Sequence, residues 1–186
     1  MKITPTAIAD VLLIEPKVVT DSRGFFYESF NQRAFNDATR LDVRFVQDSH
    51  SRSAKGVLRG MHFQAPQAQG KLVRVVLGAV QDVAVDLRPD SATQGHYVST
   101  LLTQDDHQLI WIPAGFAHGF LVLSDVSDVV YKTTNYYAPQ HEHCLAWNDS
   151  AVAIAWQSPA PPVLSAKDLL GQSLASALLS VKAASA

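Results

Sequence analysis

The chain has 186 residues, 47% of them hydrophobic and 17% charged, which fits one folded domain over residues 1–186 with a sizeable core. A formal net charge of -2 excludes a global field suited to nucleic acid or an acidic membrane, so any anion site must be a local cluster. The single cysteine, Cys144, excludes an internal disulfide. Residues 1–5 also lack the apolar core of a signal peptide and no apolar run reaches membrane length, so a cytoplasmic protein is expected.

In chain order, the first predicted element is a strand over residues 24–30, entered through the turn residues Ser22-Arg23-Gly24. A short helix over 31–40 follows, with Asn31 as its cap. Further strands are predicted over 57–64, 71–77, 80–87, 96–102, 108–112, 119–123 and 129–135. Gly78 is the natural turn between the third and fourth of these eight strands. In the fourth, Asp82, Ala84 and Asp86 alternate with Val83, Val85 and Leu87, the period of a pleated strand. Closely spaced short strands of this kind predict a sandwich or closed barrel. The tail over 168–186 carries Leu170, Leu174, Leu178 and Val181 on one helical stripe, which predicts a terminal helix packed on the body with residues 183–186 frayed.

Three stretches hold polar residues that a plain core does not need. In Leu58-Arg59-Gly60-Met61-His62-Phe63-Gln64, an Arg and a His three apart face opposite ways on a regular strand. Both enter one cavity only if the strand bulges, and Gly60 is the place for it. Lys71 shares a face with Val73 and Val75, so it either caps its strand or projects inward. The third stretch, Ile112-Pro113-Ala114-Gly115-Phe116-Ala117-His118-Gly119-Phe120, is a tight turn running into a strand with a lone His.

Together with Tyr131-Lys132-Thr133-Thr134-Asn135-Tyr136-Tyr137 and the run from Leu164 to Asp168, these motifs resemble those of the dTDP-4-dehydrorhamnose 3,5-epimerase family. The likeness spans nearly the whole chain. It implies a mainly β, cupin-type jelly-roll barrel with a few short helices. It also implies a homodimer in which strands of one subunit complete the other's sheet and site, and a dTDP-4-keto-6-deoxy sugar as substrate, with no cofactor and no metal. Carried over by motif, His62 is the general base, Asp168 orients it, Tyr131 is the general acid on the opposite face, and Lys71 lies near the keto oxygen. Arg23, Glu28, Gln47, Arg59, His118, Glu142 and Lys167 match family positions that contact the nucleotide sugar, and Tyr137 matches the one that stacks on the thymine. Ser49 stands where the family usually has Asn, keeping a hydroxyl but losing the amide's reach. Ser150 replaces a common Pro.

The chemistry the resemblance implies suits these residue types. In a 4-keto sugar, C3 and C5 flank the carbonyl, and loss of either proton gives an enolate that inverts if reprotonated from the other face. An imidazole with an unperturbed pKa of about 6.5 suits the abstraction near neutral pH. A carboxylate behind it fixes the tautomer, and a cation at the developing oxyanion supplies the largest expected stabilisation. Arginines suit the diphosphate. Tyr131, Thr133, Asn135 and Tyr137 share parity, so one continuous strand would send both tyrosines into the cavity. A metal-dependent cupin is the first rival, but it typically needs a His-x-His pair, and His62 is followed by Phe63-Gln64. A non-catalytic binder would not need His62, Asp168, Lys71 and Tyr131 together. An epimerase acting at C3 or C5 alone stays open at this point.

Overall fold

The computed structural model describes residues 1–185 and contains thirteen strands and two α-helices. Strands β1 (Lys2–Pro5), β2 (Leu12–Glu15), β3 (Val19–Asp21) and β4 (Gly24–Phe26) precede helix α1 (Gln32–Thr39). Then come β5 (Gln47–Ala54), β6 (Leu58–Gln64), β7 (Lys71–Leu77), β8 (Ala79–Asp86), β9 (Tyr97–Thr103), β10 (Leu109–Ile112), β11 (Phe116–Val122), β12 (Val126–Thr133) and β13 (Glu142–Cys144). Helix α2 (Leu174–Ser185) closes the chain.

Two antiparallel sheets face each other, as the predicted jelly roll requires. One has six strands in the order β1-β2-β10-β7-β12-β5, the other five in the order β13-β6-β11-β8-β9, and β3-β4 form a separate hairpin. The core between them takes Val73, Val75, Ile110, Ile112 and Val129 from the first sheet, and Val80, Ala84, Val98, Leu102 and Phe120 from the second. Because residues alternate across a strand, Val83 and Val85 of β8 face outward, where Leu145, Val152, Ala177 and Val181 cover them. Strand β8 is therefore buried on both faces.

The helices seal the outer faces. In α1, Asn31 accepts the Ala34 amide as N-cap, as the sequence indicated, and Arg40 ends the helix in the left-handed conformation. Its one buried residue, Phe35, packs edge-on against Trp111 and Phe45. Truncating such a ring costs about 3–5 kcal/mol. In α2, Leu174, Leu178 and Val181 pack on the second sheet, but Leu170 does not join the stripe. It sits in a 3₁₀ turn (Asp168–Leu170) and is 84% exposed. The helix runs through Ser185, so residues 183–185 are helical rather than frayed, and Ala186 lies outside the described residues.

The feature that places the site is the pairing of β6 with β11. His62 pairs with His118 and Arg59 with Phe120, so two residues of β6 are matched by Gly119 alone. This is the bulge the Arg-His spacing demanded. Gly60 has φ +134°, open to glycine and rarely to other residues. A Cβ on Gly119 would meet the Arg59 carbonyl at 2.7 Å, Met61 Sδ at 2.7 Å and Gly60 Cα at 3.0 Å. Backbone cannot yield there without separating the strands. Gly119→Ala should therefore lower stability by about 1–3 kcal/mol, read as a reduced urea midpoint at unchanged slope. A midpoint equal to the parent's would show that the contact is relaxed at no cost.

Candidate active site

A cavity of about 320 Å³ opens between the sheets at one end of the barrel. The six-stranded sheet contributes Gln47, Ser49 and Ser51 from β5, Lys71 from β7, and Tyr131 and Thr133 from β12. Facing them, the five-stranded sheet contributes Arg59 and His62 from β6, His118 and Phe120 from β11, and Glu142 from β13. Gln69, Tyr137 and Lys167 complete the lining from loops.

His62 Nε2 lies 2.5 Å from Asp168 Oδ1. A carboxylate only accepts, so Nε2 carries the proton and Nδ1 is left as the basic nitrogen. Asp168 is 3% exposed and also takes part in a local turn, its amide donating to Ser165 Oγ at 3.1 Å. Burial pushes the Asp168 carboxyl up, but the His62 hydrogen bond and charge outweigh it and hold the group below the usual carboxylate range. Asp168 thus stays ionised behind the imidazole.

Lys71 projects inward rather than capping its strand. It is buried, and Nζ donates to the His62 carbonyl at 3.4 Å. Burial pushes its ammonium down to about 8 against the pull of Asp82 and Glu142, so it remains a cation at neutral pH. At the cavity mouth, Glu142 accepts from Lys167 Nζ at 2.7 Å and from the Tyr137 hydroxyl at 2.7 Å. Burial raises Glu142, yet these two donors hold it below its ordinary range. Arg59 is oriented by Ser53, with Nε to Oγ at 2.9 Å.

Tyr131 and Tyr137 both reach the cavity, but not along one continuous strand. Strand β12 ends at Thr133 and the chain turns at Asn135, whose side chain accepts the Tyr136 amide. Tyr137 is then fixed by its amide donating to Gln47 Oε1 at 2.9 Å. Gln47 Nε2 also donates to Ser49 Oγ at 3.3 Å, so the shorter Ser49 is tied into the wall.

Arg23 and Glu28 stand apart. Arg23 lies in the β3–β4 hairpin with its side chain 88% exposed and paired to Asp21, and Glu28 accepts from Asn31 Nδ2. Neither lines the cavity of its own chain.

Two features escaped the sequence reading. His118 Nε2 lies 2.8 Å from Asp82 Oδ2, a second imidazole–carboxylate pair beside the first. An Asp inside a Val-rich strand was its available signal. Cys144, the cross-strand partner of His62, places Sγ 3.9 Å from Asp168 Oδ1. His62, Cys144 and Asp168 bring potential metal-ligand atoms within 4.8 Å of one another. Burial, then Asp168, pushes the thiol up to about 12, so at neutral pH Cys144 is a protonated thiol.

An imidazole backed by a carboxylate on one wall, with a phenol on the wall opposite, suits taking a proton from carbon and returning it from the other side. The arrangement is that of a cupin-like isomerase. Comparison with known proteins agrees. The family model described as dTDP-4-dehydrorhamnose 3,5-epimerase matches residues 5–176. The dTDP-4-dehydrorhamnose 3,5-epimerase of Pseudomonas aeruginosa is 56% identical over 177 residues, covering 95% of this chain and 98% of the relative. That of Escherichia coli K12 is 56% identical over 169 residues, covering 90% and 91%. The crystal structure of dTDP-6-deoxy-D-glucose-3,5-epimerase from Legionella pneumophila, in complex with dTDP-4-keto-L-rhamnose, superposes with a TM-score of 0.91 at 46% identity and covers 94% of this chain and 93% of that one. The chain belongs to the dTDP-4-dehydrorhamnose 3,5-epimerase family.

The Cys144 environment has a direct consequence. Iodoacetamide at pH 8 should modify the folded protein roughly 10²–10³-fold more slowly than the urea-unfolded chain, and the rate should climb with pH well beyond 10. Equal rates at pH 8 would mean that the thiol is neither buried nor raised.

Proposed function

We propose that the cavity inverts C3 and C5 of dTDP-4-dehydro-6-deoxy-D-glucose, giving dTDP-4-dehydro-L-rhamnose, with His62 as base and Tyr131 as acid. The observation that carries the assignment of roles is the His62–Asp168 pair set across the cavity from Tyr131. His62 Nδ1 removes the proton next to the carbonyl, and the imidazolium that forms is stabilised by ionised Asp168. The electrons move onto the keto oxygen, where the Lys71 ammonium offsets the new negative charge. Tyr131 then delivers a proton to carbon from the opposite face. The 56% identity to relatives named as 3,5-epimerases supports inversion at both centres over a single-centre reaction.

Tyr137, braced by Glu142 and Gln47, is positioned to stack on the base, and Arg59 to take diphosphate oxygens. Remote binding of the nucleotide then orients the sugar. The lone free thiol fits a reducing compartment, and we place the enzyme in the cytoplasm.

A homodimer accounts for Arg23 and Glu28. Strand β5 is an unpaired edge of the six-stranded sheet and lines the cavity. The β3–β4 hairpin is paired to neither large sheet, and Phe25 and Phe26 are 60% and 76% exposed. Docking of this hairpin on the β5 side of a second copy would cover both and bring Arg23 to the neighbouring cavity.

Two experiments test these roles. In deuterated water, His62→Ala should abolish hydrogen exchange at both carbons. Tyr131→Phe should still wash hydrogen out, because His62 can reprotonate the enolate with retention, while inverted product falls roughly 10²–10⁴-fold. Normal yields of inverted sugar from Tyr131→Phe would place the donor elsewhere. For the dimer, Arg23→Ala and His62→Ala chains are mixed and exchanged. If Arg23 acts across the interface, half the dimers carry one intact site and the mixture regains about a quarter of parental kcat/KM. No gain over the separate variants would place Arg23 in its own subunit's site or in none.

A further inference from the structure

Asp82 has no role in the reaction as described so far, yet it is the least accessible charged group beside the cavity. It lies in β8, 0% exposed, between β11 and β9 in the five-stranded sheet. Its Oδ2 accepts from His118 Nε2 at 2.8 Å, while Oδ1 is buried with no hydrogen-bond partner among the described residues. Leaving one oxygen of a buried carboxylate unpaired is unfavourable unless a nearby positive charge offsets it.

One such charge stands in the facing sheet. Lys71 is buried, and its hydrogen bond runs to the His62 carbonyl, a neutral acceptor. A buried ammonium without a carboxylate in contact has the opposite deficit. Asp82 is foremost among the groups that keep Lys71 charged against burial, ahead of Glu142, while Lys167 opposes it. The remaining titratable or charged groups on the cavity wall are Arg59 and His62 from β6, His118 from β11, Tyr131 from β12, and Tyr137.

We propose that Asp82 is a positioning residue shared by two donors of the cavity: through Oδ2 it holds His118 in the Nε2–H form, and through its charge it keeps Lys71 an ammonium. The inference rests on the reading of Lys71 as the cation at the keto oxygen. The geometry behind it is diagonal pairing. Asp82 pairs with Phe120 across β8 and β11, and His118, paired with Ala84, is two residues along on the same face. Fixing Nε2 toward Asp82 leaves Nδ1 as the ring nitrogen facing the sugar, an acceptor for a hydroxyl hydrogen. A carboxylate serving only as core filler would do neither.

Asp82→Asn keeps the shape and removes the charge. Lys71 works protonated, so activity falls as pH rises through its pKa, and a neutral residue 82 lowers that pKa. The alkaline limb of kcat/KM should therefore move to lower pH by about one unit, a roughly ten-fold further loss on the high-pH side. Circular dichroism and the urea midpoint report whether the variant is folded. An alkaline limb superposing on the parent's, at whatever height, would overturn the proposal. A second measurement needs no variant. Nitrogen-15 shifts of His118 in the parent enzyme at pH 8 should show the Nε2–H tautomer, and the Nδ1–H tautomer would overturn it. Failure of the underlying base assignment shows up separately, as exchange surviving in His62→Ala.

Discussion

The cavity exists in its present form because β6 and β11 come closer at Gly60 and Gly119 than two side-chain-bearing residues allow. With one extra residue on β6, the strand shifts its phase by one position, so Arg59 and His62 both reach the cavity instead of opposite faces. His62 and His118 then stand directly across the ladder from each other, each with its own carboxylate behind it. Without the bulge, one of Arg59 and His62 would be turned out of the site.

The same geometry sets an electrostatic problem. A chain of net charge -2 concentrates Lys71, Asp82, Glu142, Lys167 and Asp168 around one cavity, several of them buried. Each ion is tolerated because another offsets it: Asp168 against His62, and Glu142 against Lys167. What results is a site whose groups are held in their working protonation states before substrate arrives. Such preorganisation acts where the dielectric is low and the charges are worth most.

How far the sequence reveals this depends on which force shaped each segment. Strands facing the common core, such as β7, β8 and β10, are rich in Val, Leu and Ile and were legible. Strand β5 was not, although it is eight residues long. Its sequence Gln-Asp-Ser-His-Ser-Arg-Ser-Ala has a period of two in burial but no apolar face, because its inner face lines a polar cavity rather than the core. Hydrophobic alternation cannot reveal a strand whose partner is a ligand site. Asp82 is hidden for the converse reason: it alternates with Val83 and Val85 as a solvent-facing residue would, yet β8 is covered on both sides. Motif resemblance found His62, Asp168, Lys71 and Tyr131, and the structure brings them together. Arg23 and Glu28 also matched by motif, but a single chain does not carry them to its cavity.

That separation bears on the polar character of β5. An edge strand invites pairing with any exposed backbone, and charges along it discourage indiscriminate partners. The outward side chains of β5 are Asp48, His50 and Arg52, and they are engaged on β12, Asp48 with Lys132 and both His50 and Arg52 with Asp128. The edge is thus left with specific charges and with an inner face that belongs to the active site. A partner that docks there must match those charges and must not fill the cavity. The β3–β4 hairpin, with its exposed aromatic rings and its exposed arginine, has the character that the proposed dimer asks of such a partner. The polarity that suits β5 to a cavity wall is also what hides the strand in the sequence.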